Sequence, residues 1–237
     1  MGGIGRWLKS LLGEIADVVM PRYCVVCGGR LSVNEHFLCL CCRMDMPLTH
    51  FVDNPKGNIM AQRFWGLAPI EKASAFFFFR PHSNMSHIIY DFKYHGNANL
   101  AVYMGRMIGG MARYREFLEG IDVIVPVPIT KKRRRERGYN QSECLAIGLS
   151  IATGLPVDAE SVVRTRFTSS QTRLSGAERE ENVRNAFAMV GDELEGKHIL
   201  IVDDVFTTGS TLLACMDALK PLKNYKVSVL TLGYAKM

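Results

Sequence analysis

Residues 199–211, ILIVDDVFTTGST, decide the fold of this chain. The apolar run at 199–202, which ends on Asp203 and Asp204, predicts a buried strand, because such a run needs cover on both faces. A loop of small and hydroxyl-bearing residues follows at 207–211 and opens a stretch with helical spacing at 210–220. This succession predicts an α/β fold with a mainly parallel sheet, helices on both faces, and ligands at the carboxyl ends of the strands.

The loop at 207–211 has the chemistry of an anion site. Backbone N–H groups at a helix N-terminus point at a ligand, and the helix dipole favours negative charge. Gly209 permits close approach of a phosphate, and hydroxyl donors come from Thr207, Thr208, Ser210 and Thr211. Asp203 and Asp204 would repel a phosphate, but they suit sugar hydroxyls or Mg²⁺. A ribose 5-phosphate therefore fits the whole stretch.

The bulk composition is that of a folded protein with a modest positive charge. The chain has 237 residues, 48% of them apolar and 22% charged, which disfavours intrinsic disorder. The formal net charge of +6 suits anionic partners such as phosphates or nucleic acid, although many proteins without such partners share it. Since no apolar run reaches the length of a membrane span, none is expected.

The first 20 residues form an element of their own in this interpretation. Apolar residues recur there at helical spacing with charges between them, which predicts an amphipathic helix over 1–20. Such a helix packs on its own protein, on a membrane surface or on a partner helix. Glu14 and Asp17 interrupt any signal-peptide core, so a cytoplasmic location is expected.

Two C-x-x-C pairs separated by eleven residues predict a metal module. The four candidate zinc ligands are Cys24, Cys27, Cys39 and Cys42. Four thiolates suit tetrahedral Zn²⁺ and leave no open position, so such a site is structural or recognitional. Cys41 and His36 are alternative ligands, and buried free cysteines or a redox dithiol are the competing interpretations. The odd count of seven cysteines argues against a disulfide framework.

The rest of the chain alternates between strand and helix patterns. Strands are predicted at 75–79, 121–127, 161–166, 197–203 and 227–234, and helices at 83–94, 100–117, 140–153 and 210–220, with Ser83 as an N-cap. Residues 47–62 hold two prolines and polar residues, which predicts a linker, and 168–185 predict a polar loop. The domain boundaries expected from this pattern are 1–20, 21–62 and 63–237.

The strand at 121–127 leads into a stiff V-P-V-P turn and then a basic run, KKRRRERG, at 131–138. The run carries six bases and one acid. Three interpretations stand: a solvated surface, a nucleic-acid contact, or a site for pyrophosphate in which Arg133 or Arg137 matches the phosphate oxygens. Val127 and Pro128 are the candidate binding residues of the turn.

Several strings carry a family resemblance. They are R-G-Y-N-Q at 137–141, Q-T-R-L at 171–174, R-E-E-N-V-R-N-A-F at 179–187 and F-K-Y-H-G at 92–96, which contains Lys93. With the V-P-V-P turn and residues 199–211, they resemble the ComF (late competence protein F) family, and 199–211 resembles the phosphoribosyl-pyrophosphate (PRPP) motif of type I phosphoribosyltransferases. The match runs from about residue 21 to the C-terminus.

The resemblance implies a type I phosphoribosyltransferase fold with a small N-terminal zinc finger, and PRPP bound together with Mg²⁺. It also implies a hood loop over the site, with Gln171, Arg179 and Asn182 as its candidate residues. Purine-salvage relatives commonly place an Asp where this chain has Thr207, so a purine-salvage enzyme is disfavoured.

Two functions remain open at this point. The ComF resemblance implies a role in natural competence, with PRPP, single-stranded DNA and a competence helicase or recombination mediator as partners. Bases would then stack on Trp65, Phe64 or Phe51. The alternative is an active phosphoribosyltransferase unrelated to DNA that moves ribose 5-phosphate to a nitrogen acceptor, with Asp203, Asp204, Arg133 and Arg137 as catalytic residues. No acceptor pocket is legible in the sequence, so turnover stays undecided.

Overall fold

The computed structural model describes residues 21–165 and 186–235. Its helices are α1 (Leu40–Met44), α2 (Ile59–Gln62), α3 (Ser86–Tyr94), α4 (Ala98–Gly110), α5 (Ala112–Leu118), α6 (Lys131–Arg137), α7 (Gln141–Thr153) and α8 (Ser210–Leu219). Its strands are β1 (Lys72–Phe79), β2 (Val123–Pro126), β3 (Val162–Arg164), β4 (Phe187–Met189), β5 (His198–Phe206) and β6 (Lys226–Ala235). The predicted helix at 1–20 and the hood residues Gln171, Arg179 and Asn182 lie outside the described ranges.

The main sheet has four parallel strands in the order β1-β6-β5-β2. Alternate residues of β5 face opposite layers: Ile199 and Ile201 pack in one buried core, and Leu200 and Val202 pack in the other. Helix α8 covers the first face, and helices α3, α4 and α7 cover the second. The α/β fold with helices on both faces of a parallel sheet is thus confirmed. The carboxyl ends of all four strands lie at one edge, where ligands bind in such folds.

The strand predicted at 161–166 does not join the main sheet. Residues Val162–Arg164 form β3, which pairs antiparallel with β4, and Arg164 stands opposite Phe187. Val157 makes an isolated parallel bridge to Ile124, so the chain runs beside β2 before it turns into this hairpin. Three-residue strands such as β4 carry no periodic signal, and the sequence analysis missed it.

Two helices cross very closely on the second face. A Cβ on Gly105 of α4 would lie 2.2 Å from the Leu145 carbonyl oxygen, and one on Gly148 of α7 would lie 2.1 Å from the Val102 oxygen. Only glycine allows this backbone approach. The helix predicted at 100–117 is in fact two helices, because Met111 is extended with φ −80° and ψ 131°. The predicted cap Ser83 also fails: Met85 precedes α3 without a side-chain cap.

The segment predicted as a linker, 47–62, packs on the domain. Leu48 bridges antiparallel to Phe77, while the Phe78 N–H donates to the Pro47 carbonyl and the Thr49 N–H to the Phe76 carbonyl. A 3₁₀ turn at Phe51–Asp53 and helix α2 follow. The two prolines suggested irregular chain, but Phe51 between them and Met60 and Ala61 after them are buried in the core. Within the described residues, no helix is long and apolar enough to span a bilayer.

Candidate functional site

The loop at 207–211 lies between the end of β5 and the start of α8. Gly209 precedes the helix with φ 84°, a left-handed conformation that favours glycine, and a Cβ there would lie 3.0 Å from the ring of Phe206. Thr208 Oγ1 and Ser210 Oγ lie 2.8 Å apart, and both side chains are exposed. The exposed hydroxyls and the first N–H groups of α8 therefore form the open face on which a phosphate can rest.

The acidic pair at the end of β5 is held by hydrogen bonds. Asp203 Oδ1 accepts from the Ser142 hydroxyl at 2.9 Å and from the Asp204 N–H at 2.8 Å. Burial raises the pKa of Asp203 to about 7, and the charge of Asp204 adds to that effect, while the two donors and Lys93 oppose it. Asp203 thus holds a proton or a cation easily near neutral pH. Together, Asp203, Asp204 and residues 207–211 are called the loop site below.

Lys93 reaches the acidic pair from the end of α3. Its Nζ lies 3.0 Å from Asp204 Oδ2, and both side chains are mostly buried. In the sequence, Lys93 stands out only as part of the family resemblance, without a role of its own. Its partner is 111 positions away, so no local pattern could pair them. The lysine therefore neutralises part of the negative charge of the acidic pair.

The R-G-Y-N-Q string fastens three neighbouring elements. Asn140 Nδ2 donates to the Val127 carbonyl at 3.0 Å and its Oδ1 caps α7, whereas the Tyr139 hydroxyl and Gln141 Nε2 both donate to the Phe92 carbonyl. Burial raises the pKa of Tyr139 to about 12, so its hydroxyl keeps the proton that it donates. This string therefore fixes the turn after β2 and the end of α3 around the loop site.

Arg137 belongs to the same contacts. Its Nη1 donates to Gln141 Oε1 at 3.1 Å, and its guanidinium lies 5.7 Å from the centre of the Tyr94 ring. In this arrangement Arg137 orients α3 and α7, and the structure does not bring it against Asp203. Arg133 is different, since its side chain is exposed on α6.

The V-P-V-P turn lies beside β5. The Val127 N–H donates to the Val202 carbonyl at 2.9 Å, and the Val127 side chain is buried in the core. Val127 therefore has no free backbone donor for a phosphate, and its contribution is to place the turn and the half-buried Pro128. The basic run that follows is a helix, α6, capped by the Thr130 side chain and without a buried residue. The sequence analysis did not predict this helix, because six bases in eight residues look like a solvated loop.

The structure brings the four predicted cysteine ligands together. The sulfurs of Cys24, Cys27, Cys39 and Cys42, called the cysteine cluster below, lie within 4.8 Å of one another. The Cys27 and Cys39 sulfurs are 3.8 Å apart, which is about the edge of a tetrahedron with Zn–S bonds of ~2.3 Å. N–H groups of Gly29, Cys39 and Cys42 donate to three of the sulfurs. The donor set can hold a metal ion.

The alternative ligands fall outside this cluster. Cys41 is exposed, and His36 Nδ1 lies 3.2 Å from Arg22 Nη1. Burial would raise the pKa of Cys24, but N–H donors from Cys27, Cys39 and Val26 lower it to about 7. A thiolate is thus available at this position near neutral pH, as a metal ligand requires.

Two of the three proposed stacking residues are buried. Phe64 is 0% exposed and packs 5.8 Å from Phe206, while Phe51 packs against Phe78 and Tyr234. They support the sheet and cannot stack on a base, so those two expectations were wrong. Trp65 is 62% exposed and remains available. Neighbouring aromatics in one segment gave no signal of which ring turns inward.

Comparisons with known proteins identify the domain and its relatives. The phosphoribosyl transferase domain family matches residues 141–234. DNA utilization protein YhgH of Salmonella typhimurium is 36% identical over 133 residues, which are 54% of this chain and 57% of that protein. Competence protein F of Haemophilus influenzae is 35% identical over 116 residues, 48% of this chain and 51% of that protein. Residues 141–234 thus carry a phosphoribosyl transferase domain, and the chain is similar to proteins named for DNA utilization and for competence.

The match to these relatives is partial in length. The chain spans about half the length of the curated relatives it matches. An amidophosphoribosyltransferase of Methanothermobacter thermautotrophicus is 30% identical over 146 residues, 59% of this chain and 28% of that protein. The matched phosphoribosyl transferase region begins at Gln141 and contains both Ser142 and the loop site, so the acids, their hydroxyl donor and the phosphate loop all lie within it.

Proposed function

We propose that this protein is a member of the ComF family, binds PRPP with Mg²⁺ at the loop site and acts in the handling of single-stranded DNA during natural competence. The proposal places it in the cytoplasm, where PRPP is made and imported DNA is processed. PRPP binding is supported by one observation: an acidic pair and an exposed phosphate loop lie together at the start of one helix. Ribose hydroxyls and Mg²⁺ suit the acids, and the 5-phosphate suits residues 207–211.

The charges around the loop site favour this arrangement of PRPP. Asp204 already contacts Lys93 at 3.0 Å, and Asp203 accepts two hydrogen bonds, so both carboxylates are oriented before a ligand arrives. Mg²⁺, when bound, supplies charge neutralisation between the acids and the phosphates. The pyrophosphate group of PRPP is expected to lie at the turn after β2, near Pro128 and the basic helix α6.

The binding claim is tested by isothermal titration with PRPP and Mg²⁺. Replacing both acids, Asp203→Asn with Asp204→Asn, should weaken binding by about 100-fold or more, since even outer-shell changes at a metal site cost 10–100-fold. Asp217→Asn is the matched control: Asp217 lies at the other end of α8 and pairs with Lys220 at 2.7 Å. Equal binding by the double variant and the control would sink the proposal.

The DNA part of the proposal is supported by the relatives named for DNA utilization and competence, and by α6. Its seven residues are all exposed or half-buried, and Lys131 and Arg135 make no ion pair within the described ranges. Anisotropy of a labelled oligo(dT) strand across a salt series measures the contact. Lys131→Gln with Arg135→Gln should reduce the salt slope by about 0.7 per lost phosphate contact. Binding that does not vary with salt would contradict an electrostatic DNA contact.

The second candidate is an active phosphoribosyltransferase with a nitrogen acceptor. It is favoured by the same loop site, but Thr207 offers no carboxylate base beside the anomeric carbon. Pyrophosphate release with PRPP, Mg²⁺ and a panel of bases and amines decides between the two. Release with one acceptor supports an enzyme, whereas PRPP binding without release from any of them supports a binding role.

We further propose that the cysteine cluster holds a structural Zn²⁺ and that the domains divide at residues 20 and 62. Four thiolates leave no open coordination position, so the module serves stability or recognition. A competence helicase or recombination mediator is the partner class that the family role suggests. Metal content per chain, measured on purified protein by atomic emission, tests the zinc assignment.

A further inference from the structure

Arg164 is a cation in an unusual position. It is the last residue of β3 and stands opposite Phe187 of β4. Phe187 shares a core with Leu212 and Cys215 of α8, the helix that the phosphate loop opens. Val162, two residues earlier, packs in the same core as Val123 and Val125 of β2. The β3–β4 hairpin therefore joins Arg164 to the core that α8 and β2 share.

The guanidinium of Arg164 lacks an anionic partner in the part of the chain that the structure describes. Its Nε atom is buried and has no hydrogen-bond acceptor, and its Cζ lies 5.1 Å from the centre of the Phe187 ring. The described residues give it no ion pair. A half-buried charge with an unsatisfied donor costs free energy unless an anion is present for part of the protein's working cycle.

Charged groups of the candidate site act on Arg164. Burial lowers the pKa of Arg164, Arg133 of the basic helix lowers it further, and Asp203 of the loop site raises it. Arg133 follows the turn after β2, and Asp203 begins the acidic pair. Arg164 is thus close enough to the basic helix, where the proposed function places the pyrophosphate, and to the acids for their charges to act on it.

We propose that Arg164 is a ligand of the pyrophosphate group of PRPP. This inference rests on the proposed function and adds a residue to it that neither the motifs nor the basic run indicated. The Nη groups of the planar guanidinium, unlike its buried Nε, can present N–H bonds in one plane to two phosphate oxygens. The 5-phosphate already has the N–H groups of α8 and the hydroxyls at 207–211. The guanidinium of Arg164 therefore serves the more highly charged end of the ligand.

Two ligands separate this role from a structural one. PRPP carries the pyrophosphate, and ribose 5-phosphate lacks it. Isothermal titration with Mg²⁺ present should show that Arg164→Gln weakens PRPP binding by about 10- to 100-fold, as for the loss of charge-assisted hydrogen bonds. The affinity of Arg164→Gln for ribose 5-phosphate should stay within about twofold of that of the unchanged protein. Arg164→Lys keeps the charge but not the fork, so PRPP binding should fall between the two.

Arg115→Gln is the matched control. Arg115 is exposed on α5, which ends just before the amino end of β2, at the opposite edge of the sheet from the loop site. Equal losses for PRPP and ribose 5-phosphate, or no loss for either, would overturn the role of Arg164. If Arg164→Gln does not fold, the comparison of Arg164→Lys with both ligands decides it. If the protein without any substitution does not bind PRPP, that result contradicts the proposed function itself. It differs from a loss of binding that is confined to the Arg164 variants.

Discussion

The loop site and the cysteine cluster are both small polar centres, but they are built in opposite ways. The cysteine cluster takes four identical donors from 19 consecutive residues, 24–42. The acids of the loop site are held by Lys93 and by the Ser142 hydroxyl, and Lys93 lies 111 positions from its partner Asp204. One is local and closed, and the other is assembled by the whole domain and open to solvent at 207–211.

This difference agrees with the role proposed for each centre. A closed set of soft donors stabilises the chain around a metal that does not exchange during function. An open set of unlike donors, each held by its own hydrogen bonds, binds a ligand that comes and goes. The two centres should also be disrupted by different changes. The cysteine cluster is disrupted by the loss of one donor, and the loop site is disrupted by a shift in the packing beneath it.

The largest effect is expected from the cysteine cluster. Cys27→Ser should abolish metal binding and unfold the module, because metal affinity is folding free energy in such sites, about 10–16 kcal/mol in zinc-finger peptides. Metal content and a thermal melt check this. Cys41→Ser is the control, since Cys41 is exposed and outside the cluster. A Cys27→Ser protein with full metal content would mean that another residue completes the site.

A smaller effect tests the dependence of the loop site on packing far from it. Gly105→Ala should cost about 1–3 kcal/mol, because its Cβ would lie 2.2 Å from the Leu145 oxygen and push α7, which carries Ser142. Gly110→Ala is the control in the same helix, with no atom within 4 Å of its Cβ, and should be neutral or stabilising by up to about 1 kcal/mol. Urea melts measure both. Similar stabilities would contradict a tight crossing.

The smallest effect is a pH dependence of ligand binding. The pKa of Asp203 is raised to about 7, so below that pH the free protein holds a proton that Mg²⁺ must displace. Affinity for PRPP with Mg²⁺ should fall about tenfold per pH unit below 7 and level off above it. Titrations at several pH values measure this.

The Ser142→Ala variant distinguishes protonation of Asp203 from protonation of the ligand, because phosphates also take up protons near pH 6. The Ser142 hydroxyl donates to Asp203 and lowers its pKa, so its loss should move the midpoint to higher pH. An unchanged midpoint in this variant would assign the pH dependence to PRPP alone.

What the sequence predicts well in this chain is local. The β5 strand, the loop and α8 follow one another within 22 residues, and apolar runs and small residues suffice to predict them. The cysteine cluster is likewise legible from spacing alone. The break at Met111 cannot be predicted in this way. The helical pattern continues through the two adjacent glycines at 109–110, while the backbone turns.

What the sequence did not predict depends on distant partners. Lys93 meets Asp204, Tyr139 meets the Phe92 carbonyl, and Phe64 turns inward to Phe206. None of these pairs shares a periodic pattern, so only the folded chain brings them together. The same holds for Arg164, whose significance lies in an unpaired buried nitrogen and not in any motif.

The backbone bonds between residues 47–49 and β1 have a consequence for solubility. Strand β1 is the outer strand of the sheet and carries the run AFFFF, whose N–H and C=O groups would otherwise be a template for another chain. Residues 47–49 follow the cysteine cluster directly and cover that edge. If the cysteine cluster holds zinc as proposed, loss of the metal should loosen these residues and uncover an aromatic edge strand, and the metal-free protein is expected to self-associate before the sheet itself unfolds.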